Sequence, residues 1–127
     1  MKLKRGFRQL VDDAHAEVAT LTVAEARGLL GSAGVLFVDL RDPRELEREG
    51  KIPGAFHCPR GMLEFWIDPE SPYHKPQLMS GKRLLFYCGS GWRSALSAKT
   101  VQDMGLEDVA HIGGGFTAWK KDGGPVE

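Results

Sequence analysis

The amino-acid sequence predicts an α/β domain built on a parallel sheet. Three short apolar runs have the length and composition of strands, at residues 35–40, 83–87 and 109–112. Segments with helical spacing of apolar residues separate these runs, and such alternation is typical of parallel strands joined by helices. The chain has 127 residues, so we expect one domain over 1–127.

The N-terminal part of the chain is predicted to contain three helices. Residues 8–18 carry apolar side chains at helical spacing and form a leading helix ahead of a motif-bearing core at about 19–122. A capping box, in which a glutamate follows a threonine three residues later, starts a second helix over 22–30. A short charged helix over 43–49 starts with proline and is followed by glycine.

The C-terminal part continues the alternation. Residues 52–57 have the pattern of a turn leading into a short strand, and the apolar segment 62–67 has that of a short helix. Three prolines in 68–81 predict an irregular surface loop. Helices are expected over 94–104, which is followed by a glycine, and over 116–121, which follows three glycines. In such sheets, functional sites lie beyond the carboxyl ends of the strands.

The charge balance limits the classes of partner. Lysine and arginine number 17, as do aspartate and glutamate, so the formal net charge is zero. A chain without a basic field is not expected to bind nucleic acid or an anionic membrane. No apolar run has the form of a membrane span or a signal peptide. The two cysteines are too few for a disulfide framework or a metal quartet, which predicts a reduced, cytoplasmic setting and no metal.

The most informative segment connects the second apolar run to a helix. It consists of Cys88, Gly89, Ser90, Gly91, Trp92, Arg93 and Ser94. Backbone N–H groups in a glycine-bearing loop can converge on an anion, and the start of the helix adds partial positive charge. A cysteine held there has its thiolate form favoured, and the thiolate is the nucleophile. Cys88 is therefore the predicted catalytic residue, and the six residues after it form the predicted substrate- and anion-binding loop.

Several polar or aromatic residues near this loop admit two interpretations. Arg93 either contacts the substrate or braces the loop. Ser94 either donates its hydroxyl to the thiolate or caps the helix. Trp92 either borders the mouth of the site or packs into the core. Asp39 and Arg41 stand at the end of a buried strand, where paired charges more often support the structure than react.

The second cysteine and the histidines carry weaker signals. Cys58 is expected to be inert core, and the alternative is a resolving thiol for Cys88. His57 is its neighbour, but adjacent residues of a strand point to opposite faces. The remaining histidines show no metal-ligand spacing: His15, His74 and His111.

Three blocks of sequence, taken in order, resemble the single-domain rhodaneses. They are 38–55, which includes Asp39, Arg41 and Gly50-Lys-Ile-Pro-Gly-Ala55; the loop from Cys88 to Ser94; and Gly113-Gly-Gly-Phe-Thr-Ala-Trp119. The resemblance implies about five parallel strands with helices on both faces. It also implies that Cys88 takes a sulfane sulfur from thiosulfate or a persulfide donor. The resulting Cys88 persulfide passes the sulfur to cyanide, a thiol or a sulfur-carrier protein, with no metal or organic cofactor.

The length of the loop separates two chemistries. Four residues lie between Cys88 and Arg93, whereas tyrosine phosphatases and rhodanese-like phosphatases have five, in a wider loop that fits phosphate. The shorter loop favours sulfur transfer; a phosphatase and a carrier module that holds sulfur for a partner are the alternatives. Arg93 is the one charged side chain of the loop, so a persulfide donor suits it about as well as the thiosulfate dianion. The apolar segment 62–67 is expected to pack over the sheet; the alternative is that this segment and the loop to Gly81 form one wall of the cleft and select the acceptor.

Overall fold

The computed structural model describes residues 1–127, and its centre is a sheet of five parallel strands. The strands are β1 (Ala19–Leu21), β2 (Val35–Asp39), β3 (Phe56–His57), β4 (Arg83–Tyr87) and β5 (Val109–Ile112). Their order is β1-β5-β4-β2-β3, and every neighbouring pair is parallel. The predicted α/β class and five-stranded parallel sheet are therefore confirmed, and β4, which leads into Cys88, is the central strand.

The chain forms six α-helices, and helices pack on both faces of the sheet. They are α1 (Phe7–Glu17), α2 (Val23–Leu29), α3 (Pro43–Glu49), α4 (Leu63–Ile67), α5 (Trp92–Asp103) and α6 (Gly115–Lys121), with 3₁₀ turns at Arg60–Met62 and Pro76–Met79. Side chains of α4 and α5 pack on one face, where α1 lies against α5, and side chains of α2 and α6 pack on the other. None of the helices combines the length and the apolar composition needed to cross a bilayer.

Alternation along β4 separates two hydrophobic cores. Leu84 and Phe86 point to the face of α4 and α5, while Leu85 and Tyr87 point to the face of α2 and α6. All four side chains are buried, and burying a leucine or phenylalanine stabilises a fold by about 1.5–3 kcal/mol. Cys88 continues the alternation on the face of α5, so the packing of β4 aims its sulfur at the start of that helix.

Local signals at two helix starts are confirmed. The N–H of Glu25 donates to the Thr22 hydroxyl at 3.1 Å, and the N–H of Thr22 donates to the Glu25 carboxylate at 2.9 Å. Pro43 begins α3, and Asp42 caps it with a second capping box. Each box satisfies N–H groups that a helix cannot satisfy itself, which fixes where the helix starts.

Three elements differ from the sequence-based expectation. β1 was not predicted, because its three residues are largely exposed and show no alternation of apolar side chains. α5 begins at Trp92 rather than Ser94, because Gly91 adopts a left-handed conformation (φ 105°) that turns the chain directly into the helix. The expected irregular loop over 68–81 contains the 3₁₀ turn Pro76–Met79, which is held by a buried leucine.

Candidate active site

The sulfur of Cys88 lies in a small polar cradle at the carboxyl end of β4. The residue is 1% exposed. Its Sγ accepts the backbone N–H of Gly91 at 3.2 Å and that of Ser94 at 3.4 Å. The hydroxyl oxygen of Ser94 lies 3.6 Å from the same sulfur. These donors belong to the start of α5, so they combine with the partial positive charge of the helix terminus and suit a sulfur anion.

The glycine run at the start of α6 allows that helix to hold the loop. Gly115 has φ 61°, and a Cβ there would lie 2.5 Å from the carbonyl oxygen of Cys88. Without a side chain, the helix approaches closely enough for the N–H of Phe116 to donate to the Cys88 carbonyl at 2.7 Å. The N–H of Thr117 donates to the Gly89 carbonyl at 3.0 Å. The third sequence block thus contacts the cysteine loop through backbone atoms.

Arg93, the cation of the loop, is paired with Glu45 on α3. Its Nη1 and Nη2 atoms each lie 2.9 Å from a different carboxylate oxygen of Glu45. One of these oxygens also accepts the N–H of Asp42 at 2.8 Å, which completes the capping box of α3. The hydrogen bonds from Arg93 hold the pKa of Glu45 at about 2. Arg93 is thus held against α3, and its contact with a substrate stays a prediction.

Asp39 and Arg41 form a fully buried ion pair at the end of β2. Nε and Nη2 of Arg41 donate to the two carboxylate oxygens of Asp39 at 3.0 and 2.7 Å. Nη2 also donates to the carbonyl of Gly50 at 2.8 Å. The guanidinium lies 4.2 Å from the ring centroid of Phe116, whose N–H binds the Cys88 carbonyl. This placement joins β2 to the start of α6, in agreement with a supporting role.

Trp92 lies at the surface, where α1 meets the loop. Its side chain is about half-exposed, and its ring centroid is 4.9 Å from that of Phe7 on α1. The other loop residues differ in burial: Ser90 is exposed, Gly89 is partly buried and Gly91 is buried. Trp92 therefore lies outside the core, which is one of the two positions that the sequence allowed. Its contact with Phe7 places α1 beside the cysteine loop.

A histidine that the sequence did not single out stands behind the cradle. His111 on β5 is fully buried, and its Nδ1 lies 2.9 Å from the Ser94 hydroxyl oxygen. Its Nε2 lies 2.9 Å from the hydroxyl oxygen of Thr20 on β1. The ring of His15 on α1 stacks on it with the centroids 5.3 Å apart. Burial, with a smaller contribution from His15, lowers the pKa of His111 to about 4.

Cys58 has the environment of a core residue. It is fully buried in the hydrophobic cluster on the α5 face, and its Sγ lies 3.8 Å from the carbonyl oxygen of Pro59. Burial raises the pKa of its thiol to about 12, so it stays protonated at neutral pH. Both cysteines are free. No group of three or more histidine, cysteine, aspartate or glutamate side chains is arranged to hold a metal ion.

The C-terminal end of the apolar segment 62–67 lies away from the cysteine loop. Ile67 lines a surface cavity together with Met104 and Gly105, at the end of α5 opposite Cys88. Trp66 packs edge-on against Phe56 with the ring centroids 6.3 Å apart. The segment's effect on acceptor choice stays a prediction.

The fold and the cradle define a class of protein, a parallel α/β domain that presents a cysteine at the start of a helix. The Rhodanese-like domain family model matches residues 22–122, so the chain belongs to the rhodanese-like family. The resemblance carried by the three sequence blocks is therefore confirmed.

Similar proteins include relatives with sulfurtransferase names and one solved structure of high identity. The mouse thiosulfate sulfurtransferase/rhodanese-like domain-containing protein 3 is 28% identical over 78% of this chain, and the match spans 66% of the mouse protein, just under two thirds. The thiosulfate sulfurtransferase GlpE of Pseudoalteromonas translucida is 28% identical over 79% of this chain and 87% of its own. One solved structure is that of a protein of unknown function from Rhodopseudomonas palustris, described as a possible tyrosine phosphatase. It is 56% identical to this chain, and the match covers 100% of this chain and 98% of the Rhodopseudomonas chain, with a TM-score of 0.97.

Proposed function

We propose that this protein is a sulfurtransferase that carries a sulfane sulfur as a persulfide on Cys88. The observation that carries the proposal is the pair of N–H groups, from Gly91 and Ser94, that converge on the sulfur of Cys88. The sulfurtransferase names of the mouse and Pseudoalteromonas relatives support it. We further propose that residues 1–127 form one domain that works in the cytoplasm, where both thiols stay reduced.

The reaction consists of two displacements at sulfur. In the first, the Cys88 thiolate attacks the outer sulfur of the donor, a new S–S bond forms, and the bond inside the donor breaks. Thiosulfate would release sulfite, and a persulfide donor would release a thiolate. In the second, an acceptor thiolate or cyanide attacks the terminal sulfur and Cys88 leaves as a thiolate. Each step places negative charge on sulfur, where preorganised N–H donors are most effective.

The pairing of Arg93 with Glu45 favours a persulfide donor over thiosulfate. Both terminal nitrogens of Arg93 are bound to Glu45, so the loop presents backbone dipoles and no free cation. A dianion gains more from a free cation than a singly charged persulfide does, because Coulomb energy scales with the product of the charges. The donor we propose is therefore a persulfide on a small thiol or a protein, and a sulfur-carrier protein or small thiol is the acceptor.

A phosphatase is the second candidate, because the protein from Rhodopseudomonas palustris is a possible tyrosine phosphatase. Phosphate recognition by a loop arginine uses both of its terminal nitrogens in a bidentate contact. Here both are bound to Glu45, and four residues rather than five separate Arg93 from Cys88. Both observations favour sulfur over phosphate.

Intact-protein mass spectrometry tests the proposal. The protein is incubated with thiosulfate or with a polysulfide, and then with cyanide or a thiol. We expect one added sulfur mass on the wild type and on Cys58→Ala, none on Cys88→Ser, and loss of that mass with the acceptor. Loading without multiple turnover would support the carrier alternative. Failure to load from either donor, with Cys88-dependent hydrolysis of an aryl phosphate, would replace the proposal by the phosphatase.

A further inference from the structure

Polar side chains continue the cradle of Cys88 toward the surface. The Ser94 hydroxyl oxygen, 3.6 Å from the sulfur, lies 2.9 Å from Nδ1 of His111. Nε2 of His111 lies 2.9 Å from the hydroxyl oxygen of Thr20. Ser94 and His111 are fully buried, whereas Thr20 is exposed. A row of polar atoms therefore leads from a buried sulfur to the protein surface.

The charge on the sulfur determines where the hydrogens of this row lie. A thiolate or persulfide anion only accepts hydrogen bonds, so it competes with the Gly91 carbonyl oxygen, which lies 3.3 Å from the serine oxygen, for the one hydrogen of the Ser94 hydroxyl. When that hydrogen goes to either of these acceptors, the serine oxygen accepts a hydrogen bond from its remaining neighbour, His111. The donor within reach is Nδ1–H of neutral His111. Its Nε2 then accepts the hydroxyl hydrogen of Thr20.

We propose that His111 is a positioning residue whose Nδ1–H directs the Ser94 hydroxyl onto the sulfur of Cys88, with Thr20 fixing the tautomer. The inference rests on the proposed function, because it assigns the donors that stabilise the thiolate and the persulfide anion. His111 acts through Ser94 and exchanges no proton with the substrate. All hydrogen bonds of the row then point toward the sulfur, and bonds aligned in this way strengthen one another.

The surroundings of His111 keep its ring neutral, which the Nδ1–H tautomer requires. The groups that face the ring are the His15 ring from α1, the Thr20 hydroxyl from β1, and the Ser94 hydroxyl with the Cys88 sulfur behind it. Burial and the neighbouring His15 lower the pKa of His111 to about 4. The same hydrogen-bond donor is therefore present throughout the neutral pH range.

Two amide substitutions at position 111 separate positioning from packing. Asparagine places an N–H near the position of the imidazole Nδ1, and glutamine places one near Nε2. His111→Asn therefore keeps a donor for Ser94, whereas His111→Gln keeps only the contact with Thr20. The first readout is the rate at which iodoacetamide alkylates Cys88 as a function of pH, which follows the thiolate and needs no sulfur donor. Cys58 does not interfere, because the pKa of its thiol is about 12.

We expect His111→Gln to move the midpoint of alkylation upward by about one pH unit, because the thiolate loses a hydrogen bond. Sulfur loading should slow about tenfold. His111→Asn should keep the wild-type midpoint and load within about threefold of the wild-type rate. In a Ser94→Ala background the glutamine substitution should add no further shift, because Ser94 transmits the effect. Equal losses in the two amide variants, or additive losses with Ser94→Ala, would overturn the inference.

A measurement on the wild type covers the case in which the variants do not fold. The ¹⁵N shifts of His111, recorded above the alkylation midpoint, should show a protonated Nδ1 and a bare Nε2. The opposite tautomer would overturn the inference. The positioning role and the proposed function can fail separately. If His111→Gln shifts the alkylation midpoint as expected but no donor forms a persulfide, the positioning role of His111 is supported and the proposed sulfur transfer is wrong.

Discussion

Arg93 and Glu45 meet through two hydrogen bonds of 2.9 Å, so the one cation of the cysteine loop is neutralised by a carboxylate from α3. The positive potential at the sulfur of Cys88 then comes from backbone N–H groups and the start of α5. Such a cradle stabilises a singly charged sulfur anion without strongly attracting a dianion. If the protein transfers sulfur as proposed, the pairing of Arg93 with Glu45 therefore influences which donor charge the loop accepts.

Glu45→Gln is predicted to change donor preference. Glutamine keeps the capping box of α3 but removes the charge that holds Arg93. With its positive charge no longer balanced, Arg93 should increase kcat/KM for thiosulfate several-fold relative to a small persulfide donor, because the added attraction is larger for the dianion. The ratio of the two kcat/KM values measures the effect. The fold should lose about 1 kcal/mol, the usual value of a partly exposed ion pair.

Glu47→Gln is the matched control for this prediction. Glu47 lies on the same helix, is exposed and carries the same charge as Glu45. If both variants raise the thiosulfate ratio equally, the effect comes from the general loss of negative charge, and the explanation through Arg93 is wrong.

The elements that sequence could predict are those with local signals. The box formed by Thr22 and Glu25 lies within four consecutive residues, and the chemistry of the cysteine loop lies within seven. The strand over 83–87 is a continuous apolar run that delivers Cys88 to the carboxyl edge of the sheet. In each case the residues that cooperate are neighbours in the chain, so their spacing carries the information.

The parts of the site that sequence did not predict depend on distant contacts. Arg93 and Glu45 are 48 positions apart, and Thr20 and His111 are 91 apart. The second contact depends on the parallel pairing of β1 with β5, in which Thr20 stands opposite His111. Because β1 is a short and largely exposed edge strand, nothing in its composition identified it. The row of polar side chains from Ser94 through His111 to Thr20 therefore could not be predicted from the sequence.

Acid is predicted to destabilise the fold in two pH windows, which overlap only near pH 4. The pKa of His111 is near 6.5 in an unfolded chain and about 4 in the fold, so between these values the unfolded chain binds the extra proton. Stability from neutral His111 is complete above about pH 6.5 and lost as the pH falls to about 4, up to ~3 kcal/mol. The pKa of Glu45 falls from 4.5 to about 2 on folding, so its contribution is lost between those values.

Urea unfolding at a series of pH values between 7 and about 2 measures both windows. His111→Asn should flatten the curve in the upper window and leave the lower one. Glu45→Gln should do the reverse. A wild-type free energy of unfolding that stays constant from pH 6.5 to 4 would contradict the assignment of a buried, neutral His111.

Gly115→Ala is predicted to disable the loop by forcing it away from α6. Its φ of 61° disfavours any side chain, and the new Cβ would lie 2.5 Å from the Cys88 carbonyl oxygen. Gly123 is the matched control, because it has φ 78° but open space around its Cβ position. Gly123→Ala should cost about 1 kcal/mol from backbone strain and leave persulfide loading unchanged. Gly115→Ala should cost at least ~2 kcal/mol and reduce loading of the folded protein more than tenfold, because Phe116 can no longer hold the Cys88 carbonyl. Urea unfolding and mass-spectrometric loading measure the two effects, and equal results for the two variants would show that strain alone matters.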